Sequence, residues 1–418
     1  MSTLVARGAQ LFTGVDDTVI VDGTVVIDDG VVVYAGPSDS APRFDHADHL
    51  DADGCFLMPG MTESHAHLSY GNADPRALNA VPTPIAMLDA VDNAARVVAA
   101  GFTSAISFGS AQGLDIALRD VIASGRVPGP RLLANDRDLG STGSNADDSG
   151  SAKIIADDPW TIRREVRTLA KKGVDVIKIF LDGEALSTQA PPGVLTYTDE
   201  EVAAAVGEAH ARDMRVACHA RSAAAVKQAV RHGIDFVGHA NFLDDEAVDM
   251  LAEARDRLSV GPGVAWEVAL LERGHEIGIP REYAVSKGYQ LEVDATIASV
   301  KRLREVGVRV TVGGDYGLSI TPHGTQGKEL EYFVDLFEMT PADALLCATR
   351  DGGWAFDSGG RLGTLTPESV GDLVIVDGDP LADIRVLQHT DRIRAVVKDG
   401  TVVARHGEAI RRPVMATG

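Results

Sequence analysis

The chain has 418 residues, 45% of them hydrophobic and 24% charged, which is the composition of a globular protein with a full core. Its formal net charge of −22 argues against nucleic acid and anionic membranes as partners, because both repel an acidic surface. No basic stretch precedes a long apolar run at the amino terminus, no segment approaches the ~18 apolar residues that span a bilayer, and Cys55, Cys218 and Cys347 show no paired spacing. We therefore expect a cytoplasmic protein.

Short alternating strands with tight Asp-Gly turns are predicted at both ends of the chain. Residues 18–30 show this pattern near the amino terminus, and residues 371–378 and 395–403 repeat it near the carboxyl terminus. The two ends therefore predict one small β-sandwich domain, made of residues 1–55 and 362–418.

Residues 56–361 alternate short apolar runs with longer amphipathic stretches, which is typical of strand–helix units around a parallel sheet. Helices are predicted at residues 199–212 and 294–306. Eight strands are predicted, namely the run that leads into His65 and residues 104–108, 131–134, 174–181, 215–219, 236–239, 258–261 and 308–313. Eight such units suit a closed (β/α)8 barrel, so the predicted fold class is α/β.

The first predicted strand of the barrel ends in a His-x-His motif. His65 and His67 lie two residues apart, so their side chains point to one face of the strand. At the mouth of a barrel such a pair can bind a divalent cation through neutral imidazole nitrogens. The same motif also occurs on exposed strand edges that bind no metal.

The fourth predicted strand carries Lys178 inside an apolar run. An unpaired ammonium group there would cost several kcal/mol of desolvation, so something must compensate it. One possibility is an ion pair with Asp182 or Glu184. The other is that the lysine has reacted with carbon dioxide, and that the resulting carbamate bridges two metal ions.

Three later strand ends also carry ionisable residues. The fifth and sixth predicted strands end in His219 and His239, and the eighth is followed by Asp315, whose carboxylate could act as a metal ligand and a base. A lone histidine at a strand end is more often a core residue, and an aspartate there often caps a helix. However, the reactive groups of a barrel gather at the carboxyl ends of its strands, so the whole series predicts one metal site.

This order of strand-end residues resembles the amidohydrolase superfamily over nearly the whole chain. Residues 59–67 resemble the opening motif of that family, and residues 364–374 resemble its closing strand. Four further stretches, residues 101–104, 129–131, 175–178 and 323–324, resemble its prolidase-like, imidazolonepropionase-related branch. That branch hydrolyses N-acyl amino acids, dipeptides and related amides.

The resemblance implies a hydrolase that cleaves a carbon–nitrogen bond of a small amide, N-acyl amino acid, dipeptide, carbamate or urea. It also implies two divalent metal ions, the more buried one held by His65, His67 and Asp315, the other by His219 and His239, and both bridged by carboxylated Lys178 and a hydroxide. Asp315 would take the proton of the attacking hydroxide and pass it to the leaving amine. The ligand set suits zinc but leaves manganese, cobalt and iron open. Because relatives commonly assemble, a homo-oligomer is expected.

Substrate contacts are harder to predict from the sequence. Relatives that bind a substrate carboxylate often carry Thr-Gly-Gly-His, where this chain ends the motif in Asn145, which donates hydrogen bonds but supplies no charge. Arg221 could supply the charge instead, or it could form a surface salt bridge. Tyr70, Tyr316 and His323 are further candidates for substrate contacts, each with a structural role as the alternative.

Rival functions stay open at this point. A mononuclear deaminase or imidazolone hydrolase of the same superfamily usually has a glutamate three residues after the histidine of the fifth strand, where this chain has Ser222. The missing glutamate and the presence of Lys178 favour the two-metal hydrolase. A lactonase or esterase would use the same site. A non-catalytic scaffold is disfavoured, because such relatives lose metal ligands that this chain keeps.

Overall fold

Strands from both ends of the chain pair in one nine-stranded sheet. The computed structural model describes residues 3–73, 80–148, 153–187 and 189–411, apart from the side chains of Asn145 and Asp148. The strands of this sheet are β1 (Thr3–Phe12), β2 (Val19–Asp28), β3 (Val31–Pro37), β4 (Asp48–Asp51), β5 (Phe56–Pro59), β15 (Leu373–Val376), β16 (Ile393–Lys398), β17 (Thr401–Arg405) and β18 (Glu408–Ala409). The buried apolar strands β5 and β15 pair antiparallel and so join the two ends. Residues 56–59 therefore belong to this sheet.

Two of the Asp-Gly pairs form hairpin turns, whereas the pair at residues 22–23 does not. Asp29-Gly30 connects β2 to β3, and Asp399-Gly400 connects β16 to β17, with positive φ at all four residues. The pair at residues 22–23 instead lies inside β2, where the register against β1 shifts. Gly23 is required at this bulge, because a Cβ there would lie 2.4 Å from the Cβ of Leu11.

The middle of the chain forms two sheets in which every pairing is parallel. The six-stranded sheet runs in the order β10 (Lys153–Ile155), β9 (Asp138–Gly140), β11 (Val176–Phe180), β12 (Arg215–Ser222), β13 (Phe236–Phe242) and β14 (Ser259–Gly261). The three-stranded sheet contains β6 (Met61–Ala66), β7 (Phe102–Ser107) and β8 (Arg131–Leu133).

The predicted strand at residues 308–313 is not a continuous strand but links these two parallel sheets. Thr311 N donates to Val260 O of β14 (2.9 Å), and Ser64 N of β6 donates to Val312 O (2.9 Å). The backbone packs closely here, since a Cβ on Gly313 would lie 2.7 Å from His65 N. The segment therefore sets its carboxyl end, and Asp315 after it, against the end of β6.

Helices alternate with the parallel strands. They are α1 (Thr83–Ala99), α2 (Asp115–Ala123), α3 (Asn145–Asp148), α4 (Pro159–Lys172), α5 (Asp199–His210), α6 (Ala223–His232), α7 (Asp245–Glu253), α8 (Val264–Arg273), α9 (Arg281–Ser286), α10 (Tyr289–Glu305), α11 (Gly327–Asp335), α12 (Pro341–Leu346) and α13 (Gly352–Phe356). A capping box formed by Thr198 and Glu201 begins α5. Within the described ranges, none of the helices combines the length and the apolar character needed to cross a membrane.

Candidate metal centre

The His-x-His pair lies at the carboxyl end of β6, with both rings on one face. His65 is in the strand and His67 follows it; both are buried, and their ring centroids are 5.2 Å apart. His67 Nδ1 donates to Gly109 O (2.9 Å), which leaves the Nε2 lone pair free to bind a cation. This is the geometry predicted from the spacing of the two residues.

Asp315 meets the two histidines from the other side. Its Oδ1 lies 3.0 Å from His67 Nε2 and 3.7 Å from His65 Nε2. Burial opposes ionisation of Asp315, but the nearby His65 and His67 side chains hold the pKa of this carboxyl well below its usual value. Asp315 also has a φ of +61°, and such strained backbone costs about 1–3 kcal/mol and concentrates at functional sites.

His219 and His239 project from the ends of the adjacent strands β12 and β13. Their ring centroids lie 4.5 Å apart, and His239 lies 5.3 Å from His65. His219 Nε2 bonds to Gly183 O (3.3 Å), so that Nδ1 is the nitrogen left for a ligand. His239 has a φ of +79° at a bulge in β13, and a Cβ on Gly263 would lie 3.0 Å from its Nδ1.

Burial makes three of these histidines neutral metal-ligand candidates. It lowers the pKa of His65, His219 and His239 well below the usual value, so all three hold unprotonated imidazoles at neutral pH. The Nδ1 atoms of His65 and His239 are buried and have no hydrogen-bond partner among the described residues. They are therefore not core histidines satisfied by hydrogen bonds. One ligand atom each from His65, His239 and Asp315 lie within 4.8 Å of one another, which suits a single divalent cation.

Lys178 lies beside this cluster in the middle of β11. Its side chain is buried, and its Nζ lies 4.3 Å from the ring centroid of Phe108 and 5.6 Å from that of Phe180. Burial lowers the pKa of Lys178 to about 8. Phe108 in turn stacks on His65 with centroids 4.1 Å apart, so the same aromatic ring contacts both the lysine and one of the metal-ligand candidates.

Neither carboxylate suggested as an ion-pair partner for Lys178 lies beside it. Asp182 accepts the backbone N–H groups of Arg221 (2.9 Å) and Ser222 (2.8 Å), and Glu184 lies 3.7 Å from the Arg221 guanidinium. Across the described ranges, Lys178 forms no ion pair within 4.0 Å. A buried amine of this kind needs another compensating group, which favours the alternative of a modified lysine.

Tyr70 and Lys153 lie on the side of the cluster that is nearest to His67. Tyr70 stacks on His67, with centroids 4.4 Å apart and planes 9° apart. The Lys153 ammonium forms an ion pair with Asp138 and lies 4.8 Å from the Phe180 ring. Sequence reasoning missed Lys153, because one charged residue before a short apolar pair carries no signal of burial.

Tyr316 and His323 lie behind the metal-ligand candidates. Tyr316 is buried and its backbone pairs with Ala66 of β6. His323 Nε2 donates to His67 O (3.1 Å), and burial lowers the pKa of His323 to about 3. Asn145 begins α3, but its side chain lies outside the part of the chain that the structure describes.

Arg221 is not at the surface but inside a group of carboxylates. It is 1% exposed, and its Nη1 donates to Glu267 Oε1 (2.7 Å) and to Asn241 Oδ1 (3.2 Å). Glu292 and Glu184 lie 3.6 and 3.7 Å from its guanidinium. These partners come from α8, α10, β13 and the segment after β11, so no local pattern could have grouped them with Arg221.

We expect a His323→Leu variant to retain metal about tenfold less well than the parent. The substitution leaves His67 O without its donor, which loosens the backbone that holds the His67 ring. Metal retained at graded chelator concentrations is the measurement. The matched control is His210→Leu, since His210 pairs with Asp235 in an exposed position. Equal retention in both variants would contradict a positioning role for His323.

The profile of the Amidohydrolase family matches residues 56–403, and the chain belongs to this family. Ochratoxinase of Aspergillus niger is 24% identical over 392 residues, which cover 86% of this chain and 79% of the relative. Imidazolonepropionase of Xanthomonas campestris pv. campestris is 25% identical over 371 residues, covering 84% and 86%. A crystal structure of a prolidase in complex with N-methylphosphonate-L-proline superposes with a TM-score of 0.86 at 26% identity, covering 97% of this chain and 100% of that one. These likenesses confirm the resemblance to the prolidase-like, imidazolonepropionase-related amidohydrolases.

Proposed function

We propose that this chain is a binuclear metal-dependent hydrolase that cleaves a carbon–nitrogen bond in a small amide. The observation that carries the proposal is the meeting of His65, His67, His239 and Asp315 beside a buried lysine that has no ion-pair partner within the described ranges. Similarity to a prolidase favours dipeptides and N-acyl amino acids as the first substrates to test. The similarity to ochratoxinase adds a second relative that is an enzyme.

The proposed centre is held by six residues from β6, β11, β12, β13 and the segment that follows residues 308–313. His65, His67 and Asp315 would hold one ion, His219 and His239 a second, and Lys178 as a carbamate would join the two. Neutral imidazoles, an ionised aspartate and an amine with a pKa of about 8 suit these roles. As part of this proposal, the two parallel sheets close into a (β/α)8 barrel through residues 308–313, with the nine-stranded sheet as a small β-sandwich.

The residues of the chain divide the chemical work between them. When bound, divalent ions of the zinc type lower the pKa of water and polarise a carbonyl group. Asp315, whose side chain is 20% exposed and held ionised, accepts the proton of the attacking water and delivers it to the leaving nitrogen. A side chain at Gly313 would collide with the backbone of His65, so this glycine lets the segment before Asp315 pack close to the histidines. Tyr70 and Phe108 exclude water by stacking on His67 and His65.

The residue at position 222 disfavours the deaminase alternative. Ser222, where mononuclear relatives usually carry a glutamate, caps α6 instead, because its hydroxyl accepts Ala225 N (3.3 Å). Its side chain is therefore committed to a helix terminus. A lactonase or esterase would use the same groups, so esters belong in the substrate screen.

Metal analysis of protein purified without chelator tests the proposal. We expect about two divalent ions per chain, and loss of activity on chelation that returns when zinc or manganese is added. The screen covers dipeptides, N-acyl amino acids, carbamates and aryl amides, with lactones and aryl esters as the alternative set. One ion per chain would support a mononuclear enzyme. If no ion is bound and hydrolytic activity does not increase when metal is added, the hydrolase hypothesis is wrong.

A further inference from the structure

A buried group of charges, here called the Arg221 cluster, lies beside His219. It consists of Arg221, Glu184, Glu267, Glu292 and Tyr289. One guanidinium therefore faces three carboxylates in a region that is almost entirely withdrawn from water. Such an excess of like charge is costly unless a counter-charge is supplied or a carboxylate takes up a proton, and burial raises the pKa of Glu292 to about 7.

Among the described residues, hydrogen bonds from the protein satisfy the carboxylate of Glu267 but not that of Glu292. Glu267 accepts from Arg221 (2.7 Å), Asn241 Nδ2 (2.7 Å) and Thr296 Oγ1 (3.1 Å). Glu292 is 1% exposed, yet neither of its oxygens accepts a hydrogen bond from the described residues; its nearest cation is Arg221 at 3.6 Å. The hydroxyl of Tyr289 is buried and equally without a partner there. Buried polar atoms in this state call for a partner that the described part of the chain does not provide.

Glu184 connects this cluster to the mouth of the metal centre. It is the most accessible member, with 28% of its side chain exposed. The residue before it, Gly183, bonds through its carbonyl oxygen to His219 Nε2. Through this bond the most accessible side of the cluster lies next to His219, one of the metal-ligand candidates.

We propose that the Arg221 cluster is a subsite for a positively charged group of the substrate, an ammonium or a guanidinium, with Glu184 at its entrance. The role in turnover rests on the proposed hydrolase function, whereas the binding of a cation does not. A carboxylate entering the cluster would meet a guanidinium that Glu267 already neutralises, together with two further carboxylates. Arg221 is thus a positioning residue for the carboxylates of the cluster, and it does not bind a carboxylate of the substrate.

The binding test uses small ions that need no turnover. n-Butylguanidinium, butanamide and butyrate are titrated into the parent by calorimetry, with and without added zinc. We expect saturable binding of the cation alone, weakened about tenfold or more in Glu184→Gln. Glu292→Gln serves as a second variant should the first fold poorly, and Glu253→Gln, an exposed glutamate on α7, is the matched control that binds like the parent. Equal binding of cation and butyrate, or cation binding unchanged in both cluster variants, would overturn the proposal.

A turnover test separates this inference from the proposed function. Alanine 4-nitroanilide is compared in three forms, with a free amino group, N-acetylated, and N-succinylated. We expect kcat/KM to fall in that order, and the preference for the free amine over the acetyl form to shrink in Glu184→Gln, chiefly through KM. Hydrolysis that favours the succinyl form would overturn the subsite and keep the hydrolase. Cation binding without hydrolysis of any amide or ester would keep the subsite and count against the hydrolase.

Discussion

A Lys178→Ala variant is expected to lose most of its bound metal and nearly all hydrolytic activity. Lys178 is the proposed bridge between two ions, and its amine lies in an apolar wall where no described residue pairs with it. Removing a bridging ligand leaves each ion with fewer ligands and exposes the two to mutual repulsion. Metal per chain is the primary measurement, and the thermal midpoint after metal removal shows whether the fold survives.

Two further variants separate ligation from packing. Lys178→Met keeps the aliphatic contacts with Phe108 and Phe180 but supplies no carbamate, so it should lose metal as fully as the alanine variant while unfolding closer to the parent temperature. Lys171→Ala, at the end of α4, is the control for purification and handling. Unchanged metal content in both Lys178 variants would show that this lysine is not a metal bridge.

The pH of reconstitution gives the same residue a second signature. Only the neutral amine reacts with carbon dioxide, and the pKa of Lys178 of about 8 sets how much of it is present. Raising the pH from 6.5 to 8.5 increases the neutral fraction roughly 25-fold, so metal uptake by the stripped protein should be faster at the higher pH when both bicarbonate buffers are set to the same concentration of dissolved carbon dioxide. Uptake that is equally fast at both values, or independent of bicarbonate, would argue against a carbamate.

The family and the set of residues at the strand ends could be predicted from the sequence for one physical reason. In a chain of strand–helix units, each strand end returns to the same face, so the order along the chain predicts which residues meet. His65, His219, His239 and Asp315 are close in the structure on this account alone. Their role as ligands remains a prediction, as do cytoplasmic location and homo-oligomeric assembly.

The features that the sequence could not predict depend on contacts between distant elements. The surroundings of Arg221 come from four separate elements, and the Lys153–Asp138 pair joins β10 to β9. The segment 308–313 has the apolar pattern of a strand, yet close packing against His65 leaves it only isolated bridges. A local sequence pattern predicts that a segment is extended. Whether that segment pairs with a strand, and whether a charged side chain is buried, depends on contacts with distant parts of the chain.

The second large effect is expected from Asp315→Asn, which should lower kcat by about 10²–10⁴ while the fold and at least one metal ion are retained. The amide oxygen can still approach His65 and His67, so the cluster is not dismantled. An amide cannot accept the proton that the carboxylate of Asp315 takes in the proposed reaction. The loss should therefore fall on kcat more than on KM, measured at equal metal content.

A matched aspartate distinguishes this role from helix capping. Asp244 also follows a parallel strand, β13, but it caps α7 by accepting Ala247 N (2.9 Å). Because asparagine is an equally good cap, Asp244→Asn should change neither stability nor kcat measurably. Activity of Asp315→Asn within about threefold of the parent would place Asp315 with Asp244 as a structural residue, since a shift that small is under 1 kcal/mol of barrier and too little for a lost general base.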